Sequence, residues 1–251
     1  MIENLKANLI PNDIHAFFKN REIDPAKNSK LLDFSFSKNQ TKEKTIRNRR
    51  LAAHCLKCDE KDVCFVNQTH SSKVLLVTAS SDQLVGNADA MVTKRSDKSL
   101  AILTADCAPL IFFDPIAKVI GAAHAGWRGA LLGISENTVD AMITLGATKK
   151  NILVAIGPCI SKKNYEVGED LRVKMLLASR ANKKYFFQKS GGKYLFDLSA
   201  FLIGRLKRHG VKNVEALNIC TYQEKSNFHS YRHAVHGRYP NHRRNISIIK
   251  L

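Results

Sequence analysis

Three side chains with metal-binding chemistry, His70, Cys107 and His124, each fall at a strand end or in a polar break between apolar runs. Zinc accepts imidazole nitrogen at about 2.0–2.1 Å and thiolate sulfur at about 2.3 Å, and a catalytic zinc commonly takes three protein ligands and leaves a fourth position open. Two histidines and one cysteine supply that number. Their spacings of 37 and 17 residues match no compact zinc module. The pattern alone therefore leaves open a metal site on one side, and a surface histidine with an ordinary half-buried thiol on the other.

The surrounding sequence says what must hold these groups. Residues 100–104, 110–113 and 119–123 are apolar runs of strand length, with a turn at Asp114 and Pro115. Directly after them comes GWRG, a glycine-bracketed turn that sets Trp127 and Arg128 ahead of a helical pattern, where free backbone N–H groups could face an anion. An apolar hairpin is thus expected to deliver a thiol, an imidazole and a cation to one region. His70 lies in NQTHSSKV, between expected strands at 63–66 and 74–77, and Gln68 shares its face if that segment is extended. Asp106, beside Cys107, reads either as an orienter of a ligating histidine or as a turn carboxylate. Asp89, in GNADAMVT, reads as a turn carboxylate.

Stepping outward, residues 14–18 and 32–36 are short apolar pieces around a turn at Asp24 and Pro25, and residues 43–57 form a strongly basic helix that carries Asn48 and Arg49. Helical patterns cover 134–145, much of 165–179, and a segment that Ser199 would cap and Gly210 would end. Residues 152–156 and 246–249 read as strands, and 185–187 with 194–196 as a hairpin around KSGG. Strands alternate with helices, but hairpins interrupt the alternation. An α/β fold follows, with a mixed sheet and helices packed outside it. No linker, low-complexity block or repeat divides the chain, so residues 1–251 are expected to form a single domain.

Composition narrows the class. The longest apolar runs fall well short of the ~18 residues of a spanning helix. The N-terminal stretch has acids where a signal peptide needs a basic head, and a cytoplasmic location is expected. Six cysteines at 55, 58, 64, 107, 159 and 220 are scattered, which argues for reduced thiols. Cys55 and Cys58, with Cys64 beyond, could be half a zinc or redox motif, but no second pair completes it. A net charge of +18 attracts nucleic acid, anionic surfaces or phosphorylated ligands alike. Near the C-terminus, His233 and His236 are three apart, and Tyr222, Phe228, Tyr231 and Tyr239 could stack on bases. A solvated basic loop is the plainer reading, and nucleic acid is not the favoured partner.

The segments NQTHSSKV, NADAMVT, TADCAPLIFFDP, AAHAGWRG, AIGPCISKKNYEVGEDL and CTYQEKSNFHSYRH, in this order across residues 67–233, resemble the multicopper polyphenol oxidase, or laccase-domain, family. Its bacterial members are also described as purine nucleoside phosphorylases. The resemblance implies a layered α-β-β-α sandwich with mixed sheets, and a metal site on His70, Cys107 and His124 with zinc as the expected ion and copper as the alternative. It implies phosphorolysis of adenosine, inosine and methylthioadenosine to free base and ribose 1-phosphate, with hydrolytic deamination of adenosine. Purine nucleosides and phosphate are then the partners, and no membrane is involved. Arg128 becomes the anion-binding catalytic candidate and Asp106 its companion, while Asn48 and Arg49, which match an Asn-Arg pair of the family, join Gln68 and Arg232 as substrate contacts. Copper-dependent oxidation of phenols is the second reading, and a basic nucleic-acid-binding module the third. The chain departs from the family where FHSYRH replaces FFSYRR, which brings in His229 and His233, and where Arg243-Arg244 replaces a Gly-Arg pair.

Overall fold

A computed structural model of the chain describes residues 2–24, 27–37, 40–223, 227–237 and 243–251. Pro25 and Tyr239 lie outside these residues. In chain order the strands and helices begin with β1 (Ile2–Leu5), β2 (His15–Asp24), β3 (Lys27–Leu31), α1 (Lys42–Cys55), β4 (Val63–Asn67), β5 (Val74–Leu76), β6 (Leu84–Asn87) and β7 (Ala90–Thr93). They continue with β8 (Ser99–Thr104), β9 (Ala108–Asp114), β10 (Val119–Ala125), α2 (Trp127–Leu132), α3 (Ile134–Thr144), β11 (Leu153–Ile156), β12 (Glu166–Val167) and α4 (Glu169–Ala178). The last are β13 (Phe186–Gln188), β14 (Tyr194–Phe196), α5 (Leu198–Arg208), β15 (Asn213–Ala216), α6 (Tyr231–His236) and β16 (Asn245–Lys250).

Two mixed sheets carry most of the strands. The first runs β1-β2-β16-β8-β4-β6, with β3 paired to β2, and the second runs β15-β11-β9-β10-β7-β5. Between them sits a core to which both contribute: Cys64, Leu100, Ile102 and Ile249 from the first sheet meet Met91, Ile111, Ile120, Ala122 and Ala155 from the second. On the outer face of the first sheet, Ala52, Ala53 and Leu56 at the end of α1 pack with Phe18, Phe65, Ala101 and Ile248. On the outer face of the second, α3 and α5 supply Val139, Met142, Phe201, Leu202 and Leu206 against Leu110, Phe112 and Val154. The layers are therefore helix, sheet, sheet, helix, and the expected α-β-β-α sandwich of mixed sheets is the observed one. The strands between layers read as continuous apolar runs because both of their faces are covered.

Local chemistry explains where elements begin and end, and where the sequence misleads. Thr41 caps α1 by accepting the Lys44 N–H. The helix expected after Ser199 is capped instead by Asp197, whose carboxylate accepts the Ala200 N–H at 3.0 Å; Ser199 lies inside the first turn. Residues 32–36 are buried at Leu32 and Phe34 but do not form a strand. There Asp33 accepts the backbone N–H and hydroxyl of Ser35 and the hydroxyl of Ser37, a side-chain alternative that takes the place of a ladder. Phe228 is 3% exposed and cannot stack on a base, while Tyr222 sets its ring edge-on to His233 and His236.

The expected hairpin needs one correction. β9 and β10 do pair antiparallel, from Val119 with Asp114 to Ala125 with Ala108. β8 belongs to the other sheet, between β16 and β4. The chain therefore crosses from the first sheet to the second at 105–107, and the loop from β4 to β5 makes the same crossing at 68–73.

Candidate metal centre

The two crossings and one strand converge. His70 comes from the β4–β5 loop, Cys107 from the β8–β9 loop, and His124 from β10. One ligand atom from each lies within 4.8 Å of the others, the only such group of three or more among the described residues. The Cys107 Sγ stands 3.9 Å from His70 Nε2, and the two imidazole rings meet nearly at right angles with centroids 4.7 Å apart. A tetrahedral ion with bonds of ~2.3 Å to sulfur and ~2.0–2.1 Å to nitrogen would set those atoms roughly 3.6 Å apart. The Cys107–His70 pair is within a few tenths of an ångström of that spacing, and the donor set suits such an ion.

The backbone is bent to permit this. His70 and Asp106 have φ of 58° and 79°, in the left-handed region that His and Asp tolerate better than most side chains. Gly126 precedes α2 where a Cβ would lie 3.0 Å from both the Cys107 Sγ and the His70 Cδ2. Any side chain there would push the ligands apart.

A carboxylate whose sequence context reads as a turn residue organises the site. Asp89, fully buried between β6 and β7, accepts the His124 Nδ1–H at 2.8 Å and the backbone N–H groups of Thr69, His70 and Ser71 at 3.2, 3.0 and 2.5 Å. The Ser71 hydroxyl adds a bond at 2.7 Å. Burial by itself would raise the carboxyl pKa, but these donors, His124 first, outweigh it and hold the group well below the usual carboxylate range. With Nδ1 committed to Asp89, His124 has Nε2 left for an ion. Burial would likewise raise the Cys107 thiol and depress the His124 imidazole. Their mutual attraction reverses both, bringing Cys107 down to about 6 and His124 up to about 9. Thiolate is thus available at neutral pH, and an entering ion displaces the imidazole proton.

Asp106 does not orient a histidine. Its carboxylate is occupied by the Thr221 hydroxyl at 2.6 Å, the Ser230 hydroxyl at 3.0 Å and the Arg232 N–H at 2.6 Å, and so ties the C-terminal segment to the crossing loop. That segment carries Tyr231, which lines two cavities beside the triad. One, about 250 Å³, is lined by Trp127, Ile160, Tyr165, Leu198 and Arg232 beside His70 and Cys107. The other, about 390 Å³, is lined by Gln68, Thr104, His124 and Arg244 beside the same two ligands. Gln68 is held by a double hydrogen bond to the Leu103 backbone, and Arg232 by Nη2 to the Glu166 carbonyl.

Three predicted residues are not brought to these cavities. Arg128 is exposed in the first turn of α2 and lines neither. Asn48 donates to the Asp33 carbonyl and Arg49 to the Phe34 carbonyl, so the pair anchors residues 33–36. Trp127, Tyr165, Tyr231 and Arg244 join the site without having been singled out for it. Asp89 carried one readable signal, a carboxylate placed immediately before the fully buried strand β7.

A family described as multi-copper polyphenol oxidoreductase laccase matches residues 15–244. The chain belongs to this family. Similar proteins include the purine nucleoside phosphorylase of Rickettsia prowazekii, 34% identical over 196 residues that cover 76% of this chain and 79% of that protein. The purine nucleoside phosphorylase of Haemophilus influenzae is 33% identical over 230 residues, 89% of this chain and 90% of that one. Among solved laccase-like structures, the hypothetical protein YfiH of Bacillus licheniformis superposes with a TM-score of 0.84 at 29% identity, over 94% of this chain and 92% of its own. A Neisseria meningitidis protein gives the same TM-score at 27% identity, over 100% and 98%. The relatives support an enzyme of the transferase type, acting on nucleoside and phosphate, and the triad supports a bound metal. Among the described residues no helix is long and apolar enough to cross a membrane.

Proposed function

We propose that the chain is a zinc-dependent purine nucleoside phosphorylase that converts adenosine, inosine and methylthioadenosine to free base and ribose 1-phosphate, and that also deaminates adenosine. The observation that carries this reading is the position of the His70–Cys107–His124 triad between two unlike cavities. The cavity with Trp127, Ile160, Tyr165 and Leu198 offers flat apolar and aromatic walls suited to a purine. The cavity with Gln68, Thr104 and Arg244 offers polar groups and a cation suited to ribose and phosphate. The glycosidic bond of a nucleoside laid across them would lie beside the triad. A bound zinc supplies Lewis acidity, which favours deprotonation of water near neutral pH and stabilises developing negative charge.

The chain's own residues do the rest. Tyr231, half-exposed between the cavities, limits how far base and sugar can shift. Arg232 closes the base cavity as Arg244 closes the polar one, and Arg128, exposed on α2, is assigned to drawing phosphate inward through long-range attraction. Asp106 acts by holding the 230–232 segment in place. All six cysteines are unpaired, consistent with a cytoplasmic location.

The test is metal analysis together with product analysis, on wild type and Cys107→Ala, with adenosine in the presence and absence of phosphate. Stoichiometric zinc, adenine formed only with phosphate, inosine formed with or without it, and loss of all three in Cys107→Ala are expected. A metal-loaded protein that yields neither base nor inosine would refute the reading. Copper-dependent phenol oxidation is the second reading, favoured by a thiolate and two imidazoles that accept copper as readily as zinc. It requires oxygen uptake with a phenol that depends on added copper.

A further inference from the structure

A cavity of about 430 Å³ lies against the first sheet beyond Leu103, which also borders the polar cavity of the metal centre. Its lining includes Phe36, Arg49, Phe65, Val66, Leu84 and Asn87. We propose that this cavity binds a small planar carboxylate carried on an apolar body, with the Arg49 guanidinium as its anchor.

The argument starts from an incompletely used cation. Arg49 is 7% exposed, and its guanidinium is sandwiched between the rings of Phe36 and Phe65, with CZ 4.4 and 3.9 Å from their centroids. Nε donates to the Phe34 carbonyl at 2.9 Å. Neither Nη has a hydrogen-bond partner among the described residues. Yet among the described residues no buried side-chain nitrogen or oxygen lacks a partner, so the Nη groups keep access to solvent, and Arg49 lines the cavity. The nearby carboxylates are committed elsewhere: Asp33 accepts from Ser35, Ser37 and the Arg244 N–H, and Glu60 accepts from Gln83. Burial lowers the Arg49 pKa to about 10, which leaves it charged at neutral pH. A largely buried cation whose two NH2 groups meet only solvent in an apolar-walled cavity is better satisfied when an anion meets them.

The shape of the opening selects the anion. Two phenyl rings lie against the guanidinium and Nε is taken by the Phe34 carbonyl, so the two Nη groups are what remains to offer, and they match the two oxygens of a carboxylate. A phosphate dianion would bring two charges to one cation, between the apolar walls of Phe65, Val66, Leu84 and Leu103. Asn87 accepts from Asn67 Nδ2 through its Oδ1 at 2.8 Å, which leaves its own amide N–H groups to donate to a carboxylate.

Benzoate is the probe, titrated into the full chain while the side-chain N–H resonances of Arg49 and Asn87 are followed by NMR. Saturable shifts of both are expected. Arg49→Lys, which keeps the charge but lacks the fork, should weaken binding about tenfold or more, and so should Asn87→Asp, which sets a like charge beside the carboxylate. Asn87 is exposed, so that variant decides the matter if Arg49→Lys does not fold. Unchanged affinity in Asn87→Asp overturns the proposal. So does benzamide binding as tightly as benzoate, which would leave only apolar contact, and so does inorganic phosphate saturating the same resonances at lower concentration. An absence of saturable shifts would mean that Arg49 serves residues 33–36 and nothing else.

Discussion

Asp89 holds two things in place with one carboxylate: the tautomer of His124 and the path of the backbone through Thr69, His70 and Ser71. Asp89→Asn removes the charge and turns one acceptor oxygen into a donor facing N–H groups. It is expected to weaken metal binding roughly 10–100-fold, as measured by competition with a chromophoric chelator. Wild-type affinity in that variant would deny Asp89 its orienting role. His229 makes a different prediction. It is 5% exposed and bonded to the Leu32 carbonyl at 2.6 Å. Burial holds its pKa down to about 4 from an ordinary 6.5, helped by Arg243 and Arg244 and opposed by that hydrogen bond. Between those values the unfolded chain binds the proton that the folded chain refuses. His229 should therefore lower stability as pH falls from about 6.5 towards 4. His229→Phe should flatten that part of a curve of urea midpoint against pH, and an unaltered curve would refute the assignment. His70, Cys107 and His124 were legible as candidate ligands because thiol and imidazole announce their chemistry by type, although the spacing alone left that reading open and the family resemblance joined them. Asp89 was less so: its place before an apolar strand is a readable signal, but an acid in a polar turn looks the same whether or not a histidine 35 residues away reaches it.

Among the elements, α5 tests how a helix start is read. Asp197→Ala should lower stability by about 1 kcal/mol through loss of the cap, measured by thermal or urea denaturation, whereas Ser199→Ala should leave the cap intact. The opposite order would restore Ser199 as the cap. Serine and aspartate two residues apart are equally good caps in sequence, and only the backbone direction at residue 197 separates them. Strand positions at 63–67, 99–104, 108–114 and 119–125 were legible because continuous apolar runs between turns have few other folds open to them. Sheet membership was not, since an apolar strand carries no mark of which of two facing sheets it joins. Residues 32–36 show the converse. Their alternating apolar pattern serves burial of Leu32 and Phe34, while Asp33 bonds its own neighbours and keeps the segment out of a ladder.

For the whole molecule, the apolar layer shared by both sheets motivates the proposal that residues 1–251 unfold as one domain, in a single cooperative transition. β16 makes this testable. It lies between β2 and β8, with Ile246, Ile248 and Ile249 buried, so it is an interior strand and not a tail. A chain ending after Arg244 should lose the cooperative transition in thermal circular dichroism. Retention of that transition would show that the remaining strands close the sheet without it.

The interior position of β16 also sets an order of events during synthesis. Until residues 245–250 leave the ribosome, β2 and β8 have no common neighbour, and the first sheet stays split between its N-terminal hairpin and the β8–β4–β6 group. β4 and β8 launch the two crossing loops that carry His70 and Cys107, so all three candidate ligands are translated well before the frame that fixes them is complete. A nascent chain therefore presents its thiol and imidazoles untethered, open to whichever soft ion is abundant nearby. Selective loading of the triad would then wait for β16 to take its place, or depend on a cell that keeps competing ions scarce.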